Sequence, residues 1–159
     1  MTILDSGKRT EFESGAVRDI QEGKGRCDLL PLDVVNELFD WACDSRIICN
    51  INKYMRKGDY VVLFDTLDEF IEAFCKDDIY TALLEVSIHF EEGCKKYGED
   101  NWQKGIPTKR YIDSAVRHYL KFRRGDTDER HDRAFMWNIM CCIWTCVNKP
   151  ELNSYKKDI

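Results

Sequence analysis

Three long segments in the second half of the chain carry apolar residues at every third or fourth position, a spacing that predicts α-helices. They cover roughly residues 79–97, 107–124 and 128–148. A glycine or a proline follows each segment, as is common after helices, namely Gly98, Gly125 and Pro150. Amphipathic segments of this length, joined by short links, indicate a helical bundle.

The first half of the chain is less regular. Residues 1–31 are polar, contain several glycines and show no sustained period, so we interpret them as an ordered N-terminal arm. Residues 32–57 have helical spacing, residues 60–64 (YVVLF) resemble a short strand, and residues 66–75 form another amphipathic stretch. The whole pattern predicts an all-α fold, a helical bundle with an N-terminal arm.

The composition fits one compact domain in solution. Of the 159 residues, 43% are hydrophobic and 33% are charged, which is enough apolar mass for one core. The formal net charge is −5, so no basic field draws the chain to a nucleic acid polymer or an anionic membrane. The first 15 residues lack the apolar core of a signal peptide, and no run is apolar enough to span a membrane. We therefore expect a cytoplasmic protein with no nucleic acid polymer and no membrane among its partners.

Glu91 is the first candidate for chemistry. At about 100° per residue, the apolar side chains of residues 79–97 lie on one arc of the helix. Glu91 lies at the margin of this arc, while His89 and Glu92 point the other way. A carboxylate at the edge of a core needs a cation, a hydrogen-bond network or a metal to compensate its lost hydration. The alternative is that both glutamates are solvated helix surface. The expected core arc consists of Tyr80, Leu83, Val86, Phe90, Cys94 and Tyr97.

The predicted helix over residues 107–124 has polar residues at both edges of its apolar face. Asp113 lies at one edge and His118 at the other, and Arg117 follows Asp113 by four positions. This spacing is that of an ordinary ion pair on a helix surface. It equally suits a pair that belongs to a functional site.

The 128–148 segment is apolar on nearly all sides, so it must be buried on most of them. It still carries a narrow polar stripe that includes His131 and Asn138. Its beginning holds several acids, which either cap the helix or form a site. These acids are Asp126, Asp128, Glu129 and Asp132.

Two of these acids are spaced for a shared ion. Glu129 and Asp132 are three positions apart and lie on adjacent turns of one helix. Glu91 and Asp113 are available on neighbouring helices, and a bundle that directs acids inward is a common way to hold Mg²⁺ or Mn²⁺. The pattern therefore predicts a site for one of these two ions.

The links and the arm are rich in side chains that bind anions or stack on bases. Beside metal-binding acids, such residues suit a metal-bound nucleotide phosphate. The chain has no G-x-x-x-x-G-K-[ST] motif, so the phosphate site is not a P-loop. The candidates are Lys96, Tyr97, Asn101, Trp102 and Lys104 in the link, and Arg18, Lys24 and Arg26 in the arm.

Two stretches of the chain resemble a known family. The motifs KYGEDNWQKG, DSAVRH and DERH with a following WN, together with FESGAVRDIQEGKGRCDLLPL, are similar to phage-encoded dATP/dGTP diphosphohydrolases. These enzymes are relatives of the MazG-type all-α nucleoside triphosphate pyrophosphohydrolases. The resemblance covers roughly residues 12–31 and 82–148. Residues 32–81 match nothing in the family and are interpreted as a family-variable insertion within a single helical catalytic domain over 32–159, to which the arm also belongs.

The resemblance implies a Mg²⁺- or Mn²⁺-dependent attack of water on dATP or dGTP, which yields the monophosphate and pyrophosphate. It implies that Asp113, Arg117 and His118 complete or orient the site and that Asn138 contacts substrate. It also implies catalytic roles for Glu91, Glu129 and His131. The implied metal ligands are Glu91, Glu92, Asp113, Asp128, Glu129 and Asp132.

The bond that breaks can be argued from the residues. Attack on the γ-phosphorus is associated with P-loops, which this chain lacks. Release of an intact triphosphate often depends on a His-Asp metal pair, and His131 and Asp132 are adjacent. With only 3 histidines in the chain, however, that pair lacks companions. We therefore expect attack at the α-phosphorus.

Two further expectations concern assembly and setting. An apolar last helix that one small chain cannot wrap, together with the resemblance to MazG-type proteins, predicts a homo-oligomer, either a dimer or a tetramer. The resemblance also implies the cytoplasm of a phage-infected host cell. The alternative function is a non-catalytic α-helical module that binds nucleotides or proteins.

Overall fold

A computed structural model describes residues 4–5, 7–76 and 78–157. Within them the chain forms six α-helices, three short 3-10 helices and one two-stranded sheet, so the predicted all-α fold class is confirmed. None of the described helices has the length and apolar character that a membrane span requires. The elements are β1 (Arg9–Glu11), β2 (Val17–Asp19), α1 (Leu32–Asn36), α2 (Ala42–Lys57), α3 (Val62–Phe74), α4 (Ile79–Tyr97), α5 (Thr108–Arg124) and α6 (His131–Asn148).

Helices α5 and α6 form the centre of the bundle. They are antiparallel, because the end of α5 meets the start of α6 at His118 and His131, whereas Tyr111 contacts Trp137 farther along. Four consecutive residues of α6, 133–136, are buried. A helix with a single apolar stripe cannot bury four residues in a row, so the prediction that α6 is covered on most sides is confirmed.

The predicted core face of α4 is wrong at Tyr80 and Leu83, which are 73% and 45% exposed, and right at Val86, which is buried. Ala82 and His89, which were not expected in the core, are buried as well. The first half of α4 is apolar almost all round, so its periodicity does not select one face. Burial, with the nearby charge of Arg18, lowers the pKa of His89 to about 4.

The first half of the chain departs from its predicted elements. Residues 32–57 form two helices rather than one, α1 and α2, separated by residues 37–41. The run YVVLF is not a strand, since α3 begins at its third residue. Leu63, Leu67 and Phe70 are buried at a spacing of four and three, so the helical stripe of α3 extends into this run and overrides its β propensity.

The described residues of the arm lie against the bundle. Strands β1 and β2 are antiparallel, with Thr10 opposite Arg18. The amide of Asn101 holds β2, since its Oδ1 accepts from the Val17 nitrogen and its Nδ2 donates to the Val17 oxygen, both at 2.9 Å. The arm thereby forms one wall of a cavity.

Candidate active site

A cavity of about 810 Å³ lies between the arm, the end of α4, the loop that follows it, and the facing sides of α5 and α6. This volume is within the range of pockets that hold small ligands. It gathers eleven of the residues that the sequence singles out. These are Arg18, Lys24, Glu91, Tyr97, Asn101, Trp102, Asp113, Arg117, His118, Glu129 and Asn138.

Three side chains, two of which line the cavity, can hold a metal ion. His118, Glu129 and His131 each offer one ligand atom, and these atoms lie within 4.8 Å of one another. The two histidine Nδ1 atoms are 2.9 Å apart, and Glu129 Oε1 is 3.6 Å from that of His118 and 3.8 Å from that of His131. The short link 125–130 reverses the chain, so the last turns of α5 face the first turn of α6.

The local environment prepares both histidines for this role. His131 is buried and its Nε2 lies 2.7 Å from Asp128 Oδ1, a contact that holds the pKa of Asp128 below its ordinary value. Burial and the neighbouring His131 lower the pKa of His118 well below its usual range. His118 is therefore a neutral imidazole at pH 7, the form that binds metals. Carboxylates that orient metal-binding histidines in this way are common in metal sites.

The donor set can hold a divalent ion, since the group offers two imidazole nitrogens and one carboxylate oxygen. Asp126, Asp128 and His131 form a second group of potential ligands on the more exposed side.

The other predicted metal ligands lie apart from this group. Glu91 lines the cavity from α4, but its side chain is 62% exposed and pairs with Lys95 at 2.7 Å, which holds the pKa of Glu91 below its ordinary value. Glu92 is partly buried and lies outside the cavity lining. Asp132 also lies outside it and pairs with Arg130 at 2.7 Å.

Asp113 ties the arm to α5. Its carboxylate is 1% exposed and accepts hydrogen bonds from Gln21 Nε2 at 2.7 Å, from the Cys27 nitrogen at 2.6 Å and from Arg117. Burial alone would raise the pKa of Asp113, but these donors hold it below its ordinary value. The ion pair with Arg117 that the spacing predicts is present, although it is buried rather than superficial.

Several predicted substrate-binding residues also hold the arm. Lys96 Nζ lies 3.0 Å from Asp19 Oδ2, and the Tyr97 hydroxyl donates to Asp19 Oδ1 at 3.1 Å. Arg117 donates to the carbonyl oxygens of residues 24 and 25. Asp19 is the acceptor that sequence analysis missed, because only the folded hairpin brings it to α4.

Three other candidates occupy different surroundings. Trp102 packs against Phe90 and Trp144, with ring centroids 5.5 and 4.9 Å apart, and also lines the cavity. Lys104 is exposed and Arg26 pairs with Asp28, and neither lines the cavity. The aromatic side chains therefore lie at the end of the cavity formed by the loop after α4.

Sequence analysis missed the proximity of His118 to His131 and placed His118 among the residues that complete the site or bind substrate, not among the metal ligands. A short link predicts that α5 and α6 are antiparallel neighbours, but it does not single out this pair, since His118 lies six residues before the end of α5 and His131 begins α6. Lys121 and Ser114, which line the same wall, were likewise missed.

A family model described as dATP/dGTP diphosphohydrolase, N-terminal, matches residues 71–155, just over half of the chain. The matched range contains α4, α5 and α6 and all three members of the histidine and glutamate group. The arm lies outside it. No curated protein and no solved structure matches the chain.

Proposed function

Because the chain belongs to the dATP/dGTP diphosphohydrolase family, whose activity is that of nucleoside triphosphate pyrophosphohydrolases, we propose that it converts dGTP or dATP to the monophosphate and pyrophosphate in the cavity described above. The observation that carries this proposal is a cavity of nucleotide size with a group of metal ligands at one end and cationic side chains along its walls. Family membership favours an enzyme over a non-catalytic helical module.

We propose that His118, Glu129 and His131 hold Mn²⁺ or Mg²⁺. When bound, such an ion supplies charge neutralisation of the phosphates and a water of lowered pKa. The protein's part is to keep His118 neutral and His131 in position. Burial does the first, and the contact of His131 with Asp128 does the second.

Glu91 is the general base in this proposal. It lines the cavity from α4, and its carboxylate can accept a proton from water once the exposed ion pair with Lys95 opens. Lys24 and Arg117, on the arm and on α5, line the wall that an anionic triphosphate would face. Trp102 offers a ring on which a purine can stack.

The structure weakens one argument for attack at the α-phosphorus, namely that the pair of His131 and Asp132 lacks a companion histidine. The adjacent His131 and Asp132 have a companion after all, since His118 lies 2.9 Å from His131. Release of intact triphosphate is therefore the second candidate reaction. Asp132 pairs with Arg130 and stays outside the group of ligands, which favours the diphosphohydrolase reaction that the family description gives.

The test is to incubate dGTP and dATP with the protein and Mn²⁺ in water enriched in ¹⁸O. We expect dGMP or dAMP with the label in the monophosphate, because water attacks the α-phosphorus. Glu129→Gln is the matched control, since the amide keeps the volume and removes the charge. Labelled pyrophosphate would place the attack on the β-phosphorus, and a nucleoside with intact triphosphate would support the second candidate.

We also propose a homo-oligomer, a dimer or a tetramer. An apolar groove of about 430 Å³ lies between α3, α4 and α6, and Phe64, Leu83 and Val147 on its walls are 50%, 45% and 53% exposed. Leu83→Glu should shift the molecular mass by light scattering to that of the monomer, whereas Leu4→Glu, far from the groove, should not. An active wild-type monomer at micromolar concentration would contradict the proposal.

We also propose a cellular location and a domain organisation for the chain. The resemblance to phage enzymes supports the cytoplasm of an infected cell. We infer that residues 32–81 are a family-variable insertion in a domain over 32–159 that also includes the arm. Part of that range supports α5, since the Arg123 Nε donates to the buried Asp44 of α2 at 2.7 Å.

A further inference from the structure

Arg18 is held in a fixed position on the cavity wall by neutral partners. It lies in β2, and its Nη2 donates to Ser114 Oγ at 3.0 Å and to Asn138 Oδ1 at 2.9 Å. The guanidinium carbon is 5.2 Å from the ring centroid of Tyr111 and 5.5 Å from that of Trp137. The Nδ2 of Asn138 donates to the Ala134 oxygen, which fixes the orientation of the amide.

The charge of Arg18 is not neutralised. Within the described ranges no carboxylate lies at ion-pair distance from it, and its Nη1 is buried without a hydrogen-bond partner. An inward-facing cation without a counter-ion costs several kcal/mol in reduced hydration. Five other arginines do have such partners, namely Arg9, Arg117, Arg123, Arg130 and Arg133. Among the described residues, Arg110 on the same cavity wall has no carboxylate partner either, but it donates to the Asp19 backbone oxygen at 3.1 Å.

The position of Arg18 relative to the metal ligands suits a polyphosphate. Ser114 precedes His118 by four residues in α5, a separation of about 6 Å along the helix axis. Asn138 lies on the facing side of α6. An anion that bridges the His118 end of the cavity and Arg18 therefore needs only the length of two or three linked phosphates.

We propose that Arg18 binds a phosphate oxygen of the substrate's triphosphate, and that Asn138 and Ser114 are positioning residues that hold its guanidinium towards the cavity. This inference rests on the proposed function, because it takes a purine deoxynucleoside triphosphate as the substrate. It adds that the arm, which lies outside the matched range 71–155, supplies a substrate-binding residue.

Recognition of a guanine edge is the competing role for such an arginine, since a guanidinium can donate to O6 and N7 of guanine. Two observations favour phosphate. A neutral base does not compensate the charge of Arg18, whereas a phosphate does. The family also acts on dATP, and adenine lacks the O6 acceptor.

The experiment measures binding of tripolyphosphate and of non-hydrolysable α,β-imido analogues of dGTP and dATP by titration calorimetry with Mn²⁺. For Arg18→Gln we expect all three ligands to bind about 10–100-fold more weakly, the equivalent of one charge-assisted hydrogen bond. Arg46→Gln is the matched control, because Arg46 pairs with Glu69 on an exposed surface and does not line the cavity. Its binding should equal that of the wild type.

A second variant keeps the test decisive if Arg18→Gln fails to fold. Asn138→Asp is isosteric and gives Arg18 an internal carboxylate, so we expect a folded protein in which tripolyphosphate binding is weakened about tenfold or more. A merely structural role for Asn138 predicts unchanged binding in this variant.

The outcomes separate the inference from the function on which it rests. If Arg18→Gln binds all three ligands equally more weakly and Arg46→Gln binds them like the wild type, the inference is supported. This holds even if the wild-type protein releases no pyrophosphate, because that result would refute only the proposed function. Loss confined to the dGTP analogue would overturn the inference in favour of base recognition. Wild-type affinity of Arg18→Gln or Asn138→Asp in an enzyme that does release pyrophosphate would overturn it outright.

Discussion

Two regions of the cavity lining, the junction of α5 with α6 and the end of α4, differ in how exposed their glutamates are and in what those glutamates contact. Where α5 meets α6, the side chain of Glu129 is 12% exposed and faces two histidines. On α4, the side chain of Glu91 is 62% exposed and pairs with a lysine of its own helix. The first acid is held by contacts between helices, and the second is held only by an exposed ion pair within its own helix.

This difference teaches that similar residues can serve separate steps of one reaction. A buried carboxylate beside two imidazoles is prepared to hold a cation, because burial excludes competing water and fixes the geometry. An exposed carboxylate suits proton transfer, since it can exchange its proton with solvent after each turnover. The comparison therefore predicts different defects for variants at the two ends.

Glu129→Gln should have the largest effect. The amide removes the negative ligand of the group, so the ion and several kcal/mol of charge stabilisation are lost. We expect turnover of dGTP with Mn²⁺ to fall by more than about 1,000-fold, since each 1.4 kcal/mol is a factor of ten. Mn²⁺ affinity, measured by electron paramagnetic resonance, should fall with it, while the circular dichroism spectrum stays that of the wild type. Normal Mn²⁺ binding in this variant would move the metal elsewhere.

Glu91→Gln should reduce kcat by about 100-fold, within the range for loss of a general base. Mn²⁺ affinity should not change, which distinguishes a base from a ligand. Because the pKa of Glu91 lies below its ordinary value, wild-type activity should hold down to acidic pH and fall only as Glu91 becomes protonated, and this acid limb should be absent from the variant. A parallel loss of Mn²⁺ affinity would mean that the two ends share one ion.

Asp128→Asn should affect the metal more than the chemistry. Asp128 contacts His131 at 2.7 Å from an exposed position, and loss of such an orienting carboxylate typically weakens metal affinity by about 10–100-fold. At saturating Mn²⁺ we expect kcat to approach the wild-type value. If kcat stayed low at every Mn²⁺ concentration, Asp128 would have to act in the reaction itself.

The sequence predicts the central helices well for a physical reason. Helices α4, α5 and α6 have long periodic patterns and terminal glycine or proline, so their bounds follow within a few residues. The break at 37–41 and the helical start at Val62 do not follow, because short apolar segments fit strand and helix alike until packing decides. For the same reason the buried face of α4 was assigned wrongly, and His89 was placed outside.

Prediction of the site depends on contacts between segments. Spacing within a helix identifies the pair of Asp113 and Arg117, and this contact is present. It cannot show that Asp19 of the arm reaches Lys96, or that Asn101 clamps a strand, since these contacts join residues about 80 positions apart. The motif around Lys96 looks like a substrate site in the sequence, and in the structure it also fastens the arm.

Glu92→Gln should have the smallest effect and provides the control for Glu91. The two glutamates are adjacent, so each substitution removes one negative charge from the same turn of α4, yet only Glu91 lines the cavity. A substitution away from a site changes free energies by about 0.5 kcal/mol or less, so we expect kcat and Mn²⁺ affinity within about twofold of the wild type. The measurement is the same steady-state assay and Mn²⁺ titration, run beside Glu91→Gln. If Glu92→Gln instead lost as much kcat and Mn²⁺ affinity as Glu91→Gln, proximity to the cavity would not decide which acid acts. Both carboxylates of α4 would then hold an ion, as the sequence alone predicts.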